Sequence, residues 1–119
     1  MNRLRGEAAL VSGTSTYALV YDVNAFCLAE TALGRPTDEL VDDYDSGRRD
    51  LRLTRGLFWA GLQDKHPCTI AEAGDIMSDA GAEPVQDAVT SGLLAAFGAA
   101  QEGEQSENPT EEPNPPGTG

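Results

Sequence analysis

The clearest hydrophobic pattern in the chain lies in LRLTRGLFWAGLQDKH, residues 51–66. Leu51, Phe58 and Leu62 fall on one helical stripe, Thr54 and Arg55 occupy the intervening turn, and Leu57 and Trp59 widen the stripe to both sides. That spacing predicts an amphipathic helix with an aromatic centre. Phe58 and Trp59, the lone tryptophan, read first as the core of a small domain, since large apolar side chains are mostly inside. A second reading is compatible with the first. Part of the helix stays open to a partner, with the basic Arg52 and Arg55 on its polar side.

Around that helix the pattern predicts a hairpin and four more helices. Ala9–Val11 and Tyr17–Tyr21 are β-prone runs on either side of Ser12-Gly13-Thr14-Ser15, where Gly13 supplies the positive φ of a tight turn. A lone hairpin is not stable, so one face must pack on the helices that follow. Asp22 is the expected N-cap of VNAFCLAETALG, with Val23, Phe26, Ala29 or Glu30, and Leu33 as its apolar stripe and Gly34 as its stop. Within that pattern Cys27 reads as a small core residue. Pro36 can open a shorter helix, PTDELVDDY, that turns Leu40 and Val41 inward. Lys65-His66-Pro67 stops the central helix, and Thr69 with Glu72 forms a capping box for IAEAGDIMSDAG. Ile70, Ala73, Ile76 or Met77, and Ala80 are its stripe, and Gly81 its stop. A last helix from Glu83-Pro84 carries Val85, Ala88, Val89, Leu93, Ala96 and Phe97 on one face. The fold class is therefore α+β, mainly α: an N-terminal β-hairpin followed by about five short helices.

From Gln101 onward the sequence has no large apolar residue and no basic one, but five glutamates and four prolines. Residues 101–119 are expected to be a disordered acidic tail behind one domain over residues 1–100. The net charge of −12 then divides into −7 for the body and −5 for the tail. Such a surface repels nucleic-acid phosphates and anionic membranes, so neither is an expected partner. No apolar run is long enough to span a bilayer, and MNRLRGEAALVSG lacks the apolar core of a secretion signal. A cytoplasmic protein with its two cysteines, Cys27 and Cys68, as reduced thiols is the expectation.

Candidate chemistry is thin. Asp42-Asp43-Tyr44-Asp45-Ser46-Gly47 invites a calcium-loop reading, but counted from Asp43 the fifth position is Gly47 and the twelfth Thr54, which fails the EF-hand pattern. A solvated turn before a helix accounts for the same carboxylates. His66-Pro67-Cys68 offers two soft ligands where zinc needs three or four, and as a nucleophile–base pair it would need a cleft. A loop histidine capping the preceding helix is the simpler account. Ser12-Gly13-Thr14-Ser15 lacks the glycine spacing and the lysine of a phosphate loop. No catalytic, cofactor-binding or metal residues are assigned, and an enzyme is not expected.

Several short elements recur together in a known setting: Arg5-Gly6-Glu7 in a basic start, a Tyr-containing strand, a helix ending in Leu33-Gly34, the LFWAGL element Leu57–Leu62, then His66 and Thr69 to Ala73. In this order and spacing, over roughly residues 2–98, they resemble phage tail assembly chaperones. The nearest group is that of gene-transfer-agent and prophage tail clusters, some members of which are described as tail tube proteins. The resemblance implies a small, mostly helical, non-enzymatic protein made during assembly of a long-tailed phage or phage-like particle. Its partners would be the tape-measure protein, kept soluble, and tail-tube subunits, and it would be absent from the finished particle. Some such families also have a longer frameshifted product. A tape measure is a long amphipathic helix, so a helical protein with an open apolar groove would cover its stripe as helix-in-groove binders do. The expected contact residues are Leu57, Phe58, Trp59 and Leu62 on or beneath that groove, with Arg52 and Arg55 at its rim. If those four apolar residues are all internal, the face around Val89, Leu93 and Phe97 takes their place. The competing readings are a structural tail component of the particle and a small acidic adaptor. A weak homo-oligomer fits any of the three.

Overall fold

The structure, a computed structural model, describes residues 4–48 and 50–107, with side-chain detail as far as residue 97. It consists of β1 (Arg5–Ser12), β2 (Ser15–Asp22), α1 (Val23–Leu33), α2 (Thr37–Asp45), α3 (Leu51–Leu62), α4 (Ile70–Ala80) and α5 (Ala82–Glu107). The fold is α+β and mainly α, as the hydrophobic pattern predicts.

The antiparallel hairpin pairs Ser12 with Ser15 and Gly6 with Tyr21, which leaves a two-residue loop. Gly13 begins that loop at φ 62°, the positive value that tight hairpin turns demand. One face of the hairpin turns Gly6, Leu10, Leu19 and Tyr21 into the core, while Glu7, Ala9 and Val11 stay exposed. α5 lies along this inner face, packed against both strands. α3 runs through the middle and touches β2 and all four other helices.

Tyr21 ties the three layers together. Its phenol donates a 2.8 Å hydrogen bond to the Leu57 carbonyl of α3. A Cβ at Gly61 would meet its ring at 2.7 Å and a Cβ at Gly92 of α5 would meet it at 2.5 Å, so two bare helix backbones clasp the ring. Complete burial raises the Tyr21 pKa well above its ordinary value, which keeps the hydroxyl a donor.

Local caps match the sequence closely. Asp22 accepts from the Ala25 N–H, and Gly34 closes α1 at φ 70°. Asp50 caps α3 by accepting from Leu53 N–H. Thr69 and Glu72 form the reciprocal capping box of α4. α2 is capped from outside itself: the Glu30 carboxylate of α1 accepts from both the Thr37 N–H (2.8 Å) and the Thr37 hydroxyl (2.6 Å).

Three expectations are corrected. Cys27 is exposed rather than a core residue, because α1 buries only the side carrying Ala25, Phe26 and Ala29. Val23, placed on the apolar stripe, stands 59% exposed in the first turn. The central helix ends at Leu62, and the backbone N–H groups of Lys65 and His66 close it by donating to the Leu62 carbonyl; the His66 ring instead packs edge-on against Tyr17. α5 continues to Glu107. The rest of the expected disordered tail, residues 108–119, lies outside the described residues.

Candidate functional site

The expected contact residues divide sharply. Leu57, Phe58 and Leu62 are 0% exposed, so they form core and offer no surface of their own to a partner. The reason is the position of α3. A helix with neighbours on nearly every side buries Leu53, Thr54, Gly56, Leu57, Phe58, Ala60, Gly61 and Leu62, well beyond a single stripe. Trp59 is half-buried and works as a loop anchor. Its indole N–H donates to the Cys68 carbonyl at 2.9 Å. The Gln63 side chain donates to the Trp59 carbonyl at 2.8 Å and accepts from the Cys68 N–H at 3.2 Å. The alternative face on α5 is no more open: Val89 and Leu93 are buried, and the half-buried Phe97 ring packs 5.4 Å from Phe26.

Arg52 and Arg55 are the two expected contact residues that face solvent. They line an open cleft of about 560 Å³ between α3, α4 and the start of α5, together with Leu51, Gly74, Met77, Ser78, Gly81 and Ala82. Leu51 is 71% exposed at its edge, although the hydrophobic pattern places it on the core stripe. It is the first residue of α3, where no neighbouring element reaches across it. A Cβ at Gly74 would stand 3.4 Å from Arg55 Cδ, so the Arg55 stem crosses α4 where that helix is bare. Small residues on α4 and at the α4–α5 corner keep the cleft open.

The electrostatics single out the same place. Among the described residues, Arg52 and Arg55 are the cations with no carboxylate at ion-pair distance. The others are engaged. Arg5 meets Glu7 at 3.2 Å and Asp22 at 3.5 Å. Arg35 meets Glu39 at 3.3 Å and Asp43 at 2.6 Å. Arg48 meets Asp43 at 2.9 Å, and Lys65 meets Asp64 at 3.8 Å. In a chain of net charge −12, two guanidiniums without partners beside a leucine and a methionine form a distinct surface. The lining supplies two cations, one hydroxyl and apolar area, a set suited to an anionic group carried next to an apolar one.

Elsewhere the titratable groups serve the fold. The Arg35 guanidinium, and after it Arg48, hold the Asp43 carboxyl below its ordinary pKa. The acidic run is thus partly consumed in ion pairs, and among the described residues no three His, Cys, Asp or Glu side chains are grouped to hold a metal. Cys68 lies in the anchored loop, where burial pushes its thiol pKa up, the opposite of what a nucleophile needs. Its partner in that reading, His66, is occupied with Tyr17.

Comparison with protein-family models, with curated proteins and with solved structures finds no match to this chain. The cleft residues Leu51, Gly74, Met77 and Ser78 are not among the contact residues read from the sequence. Their one sequence signal is the spacing of Gly74, Ser78 and Gly81, small residues at helical intervals beside the basic turn Arg52–Arg55.

Proposed function

We propose that this chain is a tail assembly chaperone, a transient, non-enzymatic binding protein of the bacterial cytoplasm. In this reading it holds a long helical tape-measure protein soluble while a phage or phage-like tail assembles. The observation that carries the reading is the α3–α4 cleft: an open, partly apolar surface whose two arginines have no partner among the described residues, on a strongly acidic body. An apolar helix stripe is covered by apolar contact, and the acidic remainder of the chaperone keeps the complex dispersed by like-charge repulsion. The fold also favours a chaperone over a tube subunit, since the two strands among the described residues give a sheet too small to stack into a ring. Among the described residues no helix is long and apolar enough to cross a membrane.

Co-expression with the long helical protein encoded immediately downstream tests the proposal. The expected result is a partner recovered in the soluble fraction only when this chain is present, with the two eluting together. Unchanged partner solubility, with this chain found at many copies in purified particles, would overturn it in favour of a structural component.

A further inference from the structure

Resting on the chaperone reading for the partner's helical nature, we infer that the cleft recognises a helix by its chemistry: two carboxylates one turn apart flanking an apolar side chain. Arg52 and Arg55 stand three residues apart on α3, which places their Cβ atoms about 5–6 Å apart on one side of the helix. Asp or Glu residues at the same interval on a partner helix have the same spacing. Each guanidinium then meets one carboxylate in a charge-assisted pair. Leu51 offers the exposed apolar contact at the rim and the nearly buried Met77 lies at the floor, while Ser78 and Gly81 put no large side chain in the way of a partner.

The chain's own acidic tail does not fit this site. It contains no large apolar side chain to cover Leu51 and Met77. A phosphate polymer is disfavoured by the charge of the whole body. The lining itself contains no Asp or Glu, in a chain where acidic residues outnumber basic ones 20 to 8. The occupant that answers both the charge and the apolar floor is an acidic amphipathic helix from another protein.

The chain contains two methionines, so isotope-labelled methionine methyl groups give Met77 as a reporter inside the cleft and Met1 as a second signal. The probe is a designed helical peptide of about 15 residues with two Glu at i and i+3 around a Leu. Its controls are the same peptide with Gln for both Glu and one with Lys for both. The full chain is titrated as wild type, as Arg52→Gln/Arg55→Gln and as Leu51→Ser. All three positions are exposed, so circular dichroism should be unchanged by the substitutions. The Glu peptide should shift the Met77 methyl saturably, and its affinity should fall about tenfold or more in the double-arginine variant and for the Gln peptide. Binding that leaves the Met77 methyl unmoved, or is indifferent to either change, or is absent, overturns the inference. Co-expression separates the two readings. If the downstream partner is rescued while the Glu peptide fails, the carboxylate recognition falls and the chaperone reading stands. If the peptide binds as expected and the partner is not rescued, the reverse holds.

Discussion

Substituting Gly6 by alanine separates two opposite expectations for this fold. Gly6 sits in β1 without a positive φ, so its backbone is open to alanine. In such a position the exchange ordinarily stabilises by about 0.4–1 kcal/mol, because alanine restricts the unfolded chain. Here a Cβ would collide with the Ala96 nitrogen and the Gly92 carbonyl oxygen and lie 2.7 Å from the Ala96 Cα. All three are backbone atoms of α5, so no side-chain rotation relieves the clash. To reach an ordinary contact α5 must retreat from the hairpin, loosening Leu93 and Ala96 and the Gly92 face that holds the Tyr21 ring. Overpacking against a yielding side chain costs about 1–3 kcal/mol, and against rigid backbone the top of that range applies, roughly 3 kcal/mol. For a domain near 100 residues that is a fall in Tm on the order of 12–24 °C. Urea unfolding followed by circular dichroism reads it directly, with Gly74→Ala as a comparison, since a Cβ there meets only the Arg55 stem at 3.4 Å. A Gly6→Ala protein as stable as wild type, or more so, would refute the packing of α5 on β1.

Other consequences are checked by similar means. Thr54 is 1% exposed and its hydroxyl has no hydrogen-bond partner among the described residues, so Thr54→Val should raise stability by about 1 kcal/mol in urea titration. A loss of stability would mean the hydroxyl is satisfied after all. Glu30 has a pKa lowered first by the Thr37 hydroxyl and then by the Thr37 N–H, and that of Asp43 is lowered by Arg35 and then Arg48. Groups with depressed folded pKa values stabilise above their unfolded values, near pH 4, and lose that contribution as pH falls through the folded values. Stability should therefore drop below about pH 4, and less steeply in Glu30→Gln and Asp43→Asn, as urea midpoints across the acid range would show. Cys27 is exposed while Cys68 is half-covered with its pKa raised by burial, so a thiol reagent should label Cys27 on the order of tenfold faster in the native protein. Mass spectrometry of the modified peptides distinguishes the two, and equal rates would contradict the loop anchored by Trp59 and Gln63.

What was legible in the sequence is what local physics decides. Gly13, Asp22, Gly34 and the Thr69–Glu72 box each satisfy a backbone demand within a few residues, and each sits where its residue type requires. The face of α5 was also readable, because a helix packed on one side shows one stripe. The same reasoning misplaces Leu51 on α3. Periodicity assumes a helix half in water, and α3 has neighbours nearly all round, so Leu53 and Thr54 are buried while Leu51 is left at the rim. Cys27 and Val23 fail for a related reason: an apolar residue at helical spacing is not buried unless some distant element reaches it, and spacing alone does not say which elements will.

The packing also gives several short sequence elements a structural role that differs from recognition. In Arg5-Gly6-Glu7 the glycine admits the α5 backbone, and in Leu57–Leu62 the Leu57 carbonyl and bare Gly61 receive Tyr21. Thr69 and Glu72 cap α4 and so orient the helix that forms one wall of the cleft. These residues build the frame, the glycines through backbone-on-backbone and backbone-on-ring contacts and Thr69 and Glu72 through side-chain caps. Binding falls to what the frame leaves outside: the first turn of α3, where Arg52 and Arg55 gain nothing from the fold, and the bare edge of α4 opposite. Exchanging those two arginines for glutamine should therefore leave the unfolding curve within about 0.5 kcal/mol of wild type, the usual range for surface positions, while weakening partner capture. A large loss of stability in that variant would place the arginines in the frame and remove the cleft from consideration as a contact surface.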